Sequence, residues 1–153
     1  MCFLALASDI GLLINNTWFS PDVMKFLTIW GLCLSMVTFL VGLVMHLERE
    51  NVSWKLYMVL FEMCFALEVI ITLGFWVALW KPMSVMEEFK PVPKKLGLIL
   101  DHSLPLLCLG VDYSINQVPF VKMHHWILSL ICIVYLIINL LVTKISGEPV
   151  YPP

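Results

Sequence analysis

Apolar residues gather in four long blocks separated by short polar joints: Phe26–His46, Trp54–Trp80, Leu96–Val111 and Trp126–Val142. A helix needs about 20 predominantly apolar residues to cross the hydrocarbon core of a bilayer. The first block meets that length, and the second exceeds it, which lets it tilt or begin in the interface. The third is short, so the pattern predicts a span that is tilted, broken or partly re-entrant. The fourth can be extended at either end. These blocks predict an all-α, polytopic membrane helical bundle with four clear spans, forming a single transmembrane domain over residues 1–153. Met1–Ile14 is also apolar but is interrupted by Asp9 and lacks a basic leader. It therefore reads as a short or partial span or an interfacial segment, not as a cleavable signal peptide. The Pro-containing stretches Lys90–Lys95 and Glu148–Pro153 read as loops, and no internal repeat is evident.

Composition strengthens the membrane reading. Hydrophobic residues make up 61% of the chain and charged residues only 13%, about half the usual share of charge in soluble domains. The net charge is −2, and no Lys/Arg cluster is large enough for nucleic-acid binding. Cys2, Cys33, Cys64, Cys108 and Cys132 each sit in apolar sequence without a C-x-x-C pair, so they read as small buried hydrophobes, with no metal or cofactor implied. If all four blocks cross, Lys25, Lys81, Lys90, Lys94, Lys95 and Lys144 lie on the side where the first block starts. Arg49, Lys55 and Lys122 lie on the other, so the first side is expected to be cytoplasmic. The sequon Asn51-Val52-Ser53 falls on the opposite side, close to the membrane, and no modification is predicted there.

Polar residues inside the blocks carry the functional information. Thr28, Gly31, Ser35, Thr38 and Gly42 recur at spacings of 3, 4, 3 and 4, which places them on one helix stripe. Small and hydroxyl residues mark helix contacts in lipid, so this stripe predicts packing and turns Thr28 inward. Glu62 and Glu68 are six residues apart and diverge by about 120° on a helix. Each is either a hydrogen-bonding partner of a neighbouring element or an acid supporting a site. Glu68 and Thr72 share a face. In the fourth block Ser129, Cys132, Tyr135 and Asn139 form another inward polar stripe.

His102 is the strongest anomaly. It lies in an apolar run beside Asp101 and Ser103, with Pro105 three residues on. Ionisable groups at membrane depth are costly and mark interiors or sites. Asp101, Pro105, Cys108 and Asp112 fall on one stripe. Pro105 predicts a kink or break near His102, with a freed carbonyl available to the imidazole. Taken alone, His102 is either a structural hydrogen-bonding residue or a catalytic or ligand-binding one. Counting inward from the block ends puts Thr28 roughly 3 Å and His102 roughly 9 Å below the same surface. A hydroxyl and an imidazole at compatible depth are the minimum for a base-activated nucleophile.

Several segments resemble a known family. Lys25-Phe26-Leu27-Thr28, Asp101-His102-Ser103-Leu104-Pro105-Leu106 followed by Asp112, and Ser146-Gly147-Glu148-Pro149-Val150-Tyr151-Pro152 occur in order, with Phe75-Trp76 between the first two. They are similar to motifs of the androgen-induced and androgen-dependent TFPI-regulating protein family, which are intramembrane threonine hydrolases. The resemblance covers most of the chain from Lys25 onward. It implies cleavage of fatty acid esters of hydroxy fatty acids, with Thr28 as nucleophile and His102 as base. Asp101 or a backbone carbonyl would orient the imidazole, and Glu68 is a further candidate for support. It also implies a long-chain lipid ester as substrate, the lipid bilayer and membrane proteins as partners, no cofactor, and an endoplasmic reticulum or plasma membrane location. The sequence departs from the family in three places. Pro105 follows His102 more closely, a second upstream histidine is replaced near Leu98 and Ile99, and the family's last span is expected to be lacking after Pro153. The alternative of a different class is a non-catalytic membrane protein subunit or lipid-binding scaffold.

Overall fold

The computed structural model describes residues 26–47, 53–87, 91–147 and 150. Met1–Ile14, Lys25, Asn51 and most of the Ser146–Pro152 motif lie outside the described residues. The chain is all-helical among the described residues, and four of its helices are long and apolar enough to cross a membrane. This is an integral, multi-pass membrane protein. Helix α1 spans Leu27–Leu47, and α2 spans Trp54–Gly74. A π-helical turn at Phe75–Leu79 joins α2 to the short α3, Trp80–Val85, making one continuous 32-residue rod. Helix α4 runs over Val92–Asn116, and a 3₁₀ turn at Lys122–His124 leads into α5, His125–Ser146.

The four blocks correspond to the four rods, but their limits need correction. The third span is 25 residues long and is helical straight through Pro105. It was expected to be short because hydropathy ends at Leu96 and Val111, whereas the polar residues Pro93–Lys95 and Asp112–Asn116 continue the helix at both ends. Pro93 sits in the first turn, where a missing N–H costs nothing. Pro105 deletes one ladder bond, and the surrounding turns carry the helix across it. In the second rod, the Trp80 N–H reaches back to the Phe75 carbonyl, five residues earlier. Pro82 explains this widening: it offers no N–H, and its ring crowds the carbonyl one turn back.

Helix α2 is the centre of the bundle and packs against α1, α4 and α5. The stripe on α1 sets its approach. Gly31, Ser35 and Thr38 are buried. A side-chain carbon added at Gly31 would lie 2.4 Å from Ile71 Cδ1 and 2.6 Å from Glu68 Oε1, and one at Gly42 would lie 3.0 Å from the Tyr57 ring. Thr38 donates to the Leu34 carbonyl in its own helix at 2.8 Å and reaches the Leu60 carbonyl of α2 at 3.5 Å. Where a hydrophobic drive between helices is absent, this close approach supplies the association energy. Phe39, Tyr57, Phe61, Cys64, Leu109 and Val118 form the apolar core toward the far end. Helix α5 is covered least: Tyr135 is its only buried residue. Of the polar stripe expected to face inward there, Ser129 is exposed and turns its hydroxyl back to the His125 carbonyl. A serine so satisfied tolerates a lipid-facing position.

Glu62 lies at the end of the bundle away from Thr28. It accepts from the Val121 N–H and pairs with His124. It therefore ties the α4–α5 connection to α2, as a hydrogen-bonding partner of a neighbouring element. Tyr57 donates to Asp112 across α2 and α4 at the same end.

Candidate active site

Thr28 sits in the first turn of α1, on the stripe that faces α2. His102 projects from α4 and is 8% exposed. The structure brings the two together: Thr28 Oγ1 lies 3.0 Å from His102 Nε2. The other ring nitrogen, Nδ1, lies 2.8 Å from the Leu98 carbonyl, one turn earlier in the same helix. A carbonyl only accepts, so Nδ1 carries the proton, and Nε2 of the neutral ring is left as an acceptor. The Thr28 hydroxyl therefore donates to Nε2. A hydroxyl that donates to an imidazole held by a third group is a geometry able to support base-activated nucleophilic chemistry.

One further contact touches the imidazole, and two hold the α4 segment that carries it. The Phe75 ring stacks on it, with centroids 4.0 Å apart and planes inclined by 19°. The Thr72 hydroxyl donates to the His102 backbone carbonyl at 2.7 Å. Beside it, Trp76 Nε1 donates to Ser103 Oγ at 3.1 Å. The π turn begins at Phe75, so the irregular backbone of the second rod starts at the residue that stacks on His102. Wide turns of this kind recur at functional sites.

The group bonded to Nδ1 is a backbone carbonyl. It belongs to Leu98 and is not one released by Pro105, whose missing bond falls at Asp101. Asp101 is half-buried, one residue round the helix, and both ring nitrogens of His102 are already engaged elsewhere. Glu68 is 1% exposed and lies against Gly31, one turn below Thr28. It backs the α1–α2 contact. His102 lies ten residues beyond the start of α4 at Val92, about 15 Å along the helix axis at 1.5 Å per residue.

A groove of about 510 Å³ opens beside the pair, within the range of about 300–1,000 Å³ common for small-molecule sites. Its walls come from the start of α1, the α2–α3 rod, His102 and Tyr135, and are apolar apart from Thr28, His102 and Tyr135. Ile70 and Gly74 on its wall are exposed, and both lie within the membrane-spanning length of the rod. The groove thus opens along the membrane-spanning length of the rod, with Thr28 on its wall.

A sequence pattern shared by FAR-17a/AIG1-like proteins matches residues 16–153. The chain belongs to this family. It is the androgen-induced protein family that the short motifs resembled. No curated protein and no solved structure matches the chain. For this FAR-17a/AIG1-like protein, hydropathy and motif spacing pointed to Thr28 and His102, but not to the residues that hold them. The role of Leu98 rests on a backbone atom and carries no sequence signal. Thr72 and Tyr135 were visible as polar positions on helix faces, and Phe75 as part of a motif. Their partners became evident only once α2, α4 and α5 were packed.

Proposed function

We propose that this protein is an intramembrane lipid hydrolase that cleaves fatty acid esters of hydroxy fatty acids, with Thr28 as nucleophile and His102 as general base. One observation carries the reading: the Thr28 hydroxyl donates to an imidazole nitrogen whose other nitrogen is fixed by the Leu98 carbonyl, at the wall of a lipid-accessible groove. Thr28 Oγ1 bonds to the ester carbonyl carbon while its proton passes to His102 Nε2. Collapse of the tetrahedral intermediate breaks the bond to the hydroxy-acid oxygen, which leaves with that proton. Water then gives a proton to the same nitrogen and attacks the acyl-threonine. The released Thr28 oxygen recovers a proton from His102, and a free fatty acid departs.

Hydrolysis of a fluorogenic long-chain ester by purified protein in detergent or nanodiscs tests this. Thr28→Ala and His102→Ala should each abolish turnover, and Thr28→Ala should abolish labelling by a fluorophosphonate probe. Full activity in both variants sinks the assignment. A non-catalytic scaffold is the competing reading, and it has one observation in its favour: Thr28 belongs to the same stripe that packs α1 on α2. It predicts no probe labelling, and a loss of thermal stability as the only consequence of Thr28→Ala.

A further inference from the structure

The groove is longer than Thr28 and His102 need. It follows the second rod from Ile70 to Pro82, about 18 Å at 1.5 Å per residue. His102 stacks on Phe75 and meets Thr28, so the pair lies at the level of that ring. Beyond this level the groove continues past Ala78 and Leu79 to Pro82, about 10 Å further along the rod at 1.5 Å per residue. The residues that line this arm bring no polar side chain to it. Ala78 is exposed and lies within the membrane-spanning length of the rod, so the arm is open to lipid along one edge.

The arm is also straight. On an α-helix, residues four apart drift round the axis by about 40°, so a lane of such positions winds off its face within a few turns. The lane here steps by four residues through Ile70, Gly74, Ala78 and Pro82. It crosses the π turn at Phe75–Leu79, whose bonds reach five residues back and which holds more residues per turn. The slower winding takes up the drift and keeps Ala78 and Pro82 on the face that carries Gly74. The rod that Pro82 widens is thereby a rod with a straight wall. Gly74 leaves room at the level of the pair: a side-chain carbon added there would meet nothing within 4 Å. Gly97 and Gly110 are equally open but do not line the groove, so it is the place of Gly74 in the wall that matters.

A straight apolar lane with one edge open to lipid suits a single extended hydrocarbon chain. An ester of a hydroxy fatty acid carries one unbranched chain on its carbonyl and a branched carbon on its ester oxygen, so the lane fits the carbonyl side. We propose that the arm formed by Ala78, Leu79 and Pro82 is the acyl-chain track of the site: it holds the chain attached to the carbonyl that Thr28 attacks, and selects esters of medium and long unbranched acids. This rests on the hydrolase reading. A carbon chain with bonds of about 1.5 Å at about 111° advances about 1.25 Å per carbon, so an arm of about 10 Å holds about eight carbons. A lane that covers about half of each methylene contributes about twofold in kcat/KM per carbon.

Hydrolysis of umbelliferyl esters with acyl chains from acetyl to hexadecanoyl, by purified protein in one detergent, tests it. In the parent, kcat/KM should climb about twofold per carbon up to about eight carbons and then level off. Ala78→Phe places a ring in the lane and should lower the dodecanoyl-to-acetyl ratio of kcat/KM about 10-fold or more, the loss of three to four carbons at about twofold each. Leu79→Ala widens the lane and should flatten the climb. A ratio in Ala78→Phe within twofold of the parent overturns the proposal. So does a selectivity that follows the alcohol chain in a matching series of alkyl acetates. Should Ala78→Phe fail to fold, Leu79→Ala decides: a flattened climb supports the track, and the parental climb overturns it. Thr28→Ala separates the two levels. If it hydrolyses the dodecanoyl ester like the parent, the hydrolase reading fails; if it is dead while Ala78→Phe keeps the parental ratio, only the track fails.

Discussion

Gly31→Ala is the substitution that most directly tests whether the α1–α2 contact sets the catalytic distance. A methyl at this position would lie 2.4 Å from Ile71 Cδ1 and 2.6 Å from Glu68 Oε1, against about 3.5–4.0 Å for unstrained carbon contacts. Both atoms end flexible side chains, so relief comes partly from rotamer changes and partly from separation of the helices. Overpacking of this kind costs about 1–3 kcal/mol, and replacing glycine within a helix returns about 0.8–1 kcal/mol. The net destabilisation is therefore about 0–2 kcal/mol. Activity should suffer more. Gly31 is one turn from Thr28, whose oxygen sits 3.0 Å from His102, and a displacement of about 1 Å at a reacting group can cost about 100-fold. Gly42→Ala is the matched control: it strains the same interface against the Tyr57 ring, but lies fourteen residues, about 21 Å, from Thr28 along α1. Melting temperature and ester hydrolysis measured on both variants should show similar stability losses, with turnover falling about 10- to 100-fold in Gly31→Ala alone. Equal activity losses in the two variants, or full activity in Gly31→Ala, would refute the coupling of packing to the site.

Other substitutions separate the site from its supports. Thr72→Val keeps the shape but removes the 2.7 Å bond to the His102 carbonyl; a stability loss of about 1 kcal/mol is expected, with turnover reduced less than in His102→Ala. Phe75→Leu keeps much of the bulk but removes the ring stacked on His102, which is worth about 0.5–1.5 kcal/mol for an aromatic pair; thermal melting and kcat should both decline. Glu62→Leu leaves the Val121 N–H and His124 without their acceptor and should cost about 1–3 kcal/mol. Because that contact lies at the opposite end of the bundle, fluorophosphonate labelling of Thr28 measured below the melting temperature should be unchanged. Labelling lost together with stability would show that the two ends are coupled.

The division between what the sequence discloses and what it hides follows from range. Periodicity and hydropathy are properties of one segment. They suffice for the four spans, and for the inward stripe of α1 that turns Thr28 toward its neighbours. They mislead where the cause is local but not apolar: Pro93–Lys95 and Asp112–Asn116 are helical although polar, so α4 is longer than its hydropathy. The candidate site instead depends on separations of 74 residues between Thr28 and His102 and 30 between Thr72 and His102. No single-segment pattern encodes such pairings. His102 stood out because an ionisable group in lipid demands a reason. Tyr135 and Asn139 did not, because a polar stripe on a membrane helix has a sufficient explanation in packing. The structure narrows that explanation for α5 to Tyr135, which packs on Trp30 of α1. The α5 stripe meets little protein: Ser129 faces outward, and the one side chain that is buried lies on the wall of the groove beside Thr28 and His102. Packing on Trp30 and the bond from Asn139 hold Tyr135 at that wall, so tertiary contact separates positions of one stripe that helical periodicity treats alike.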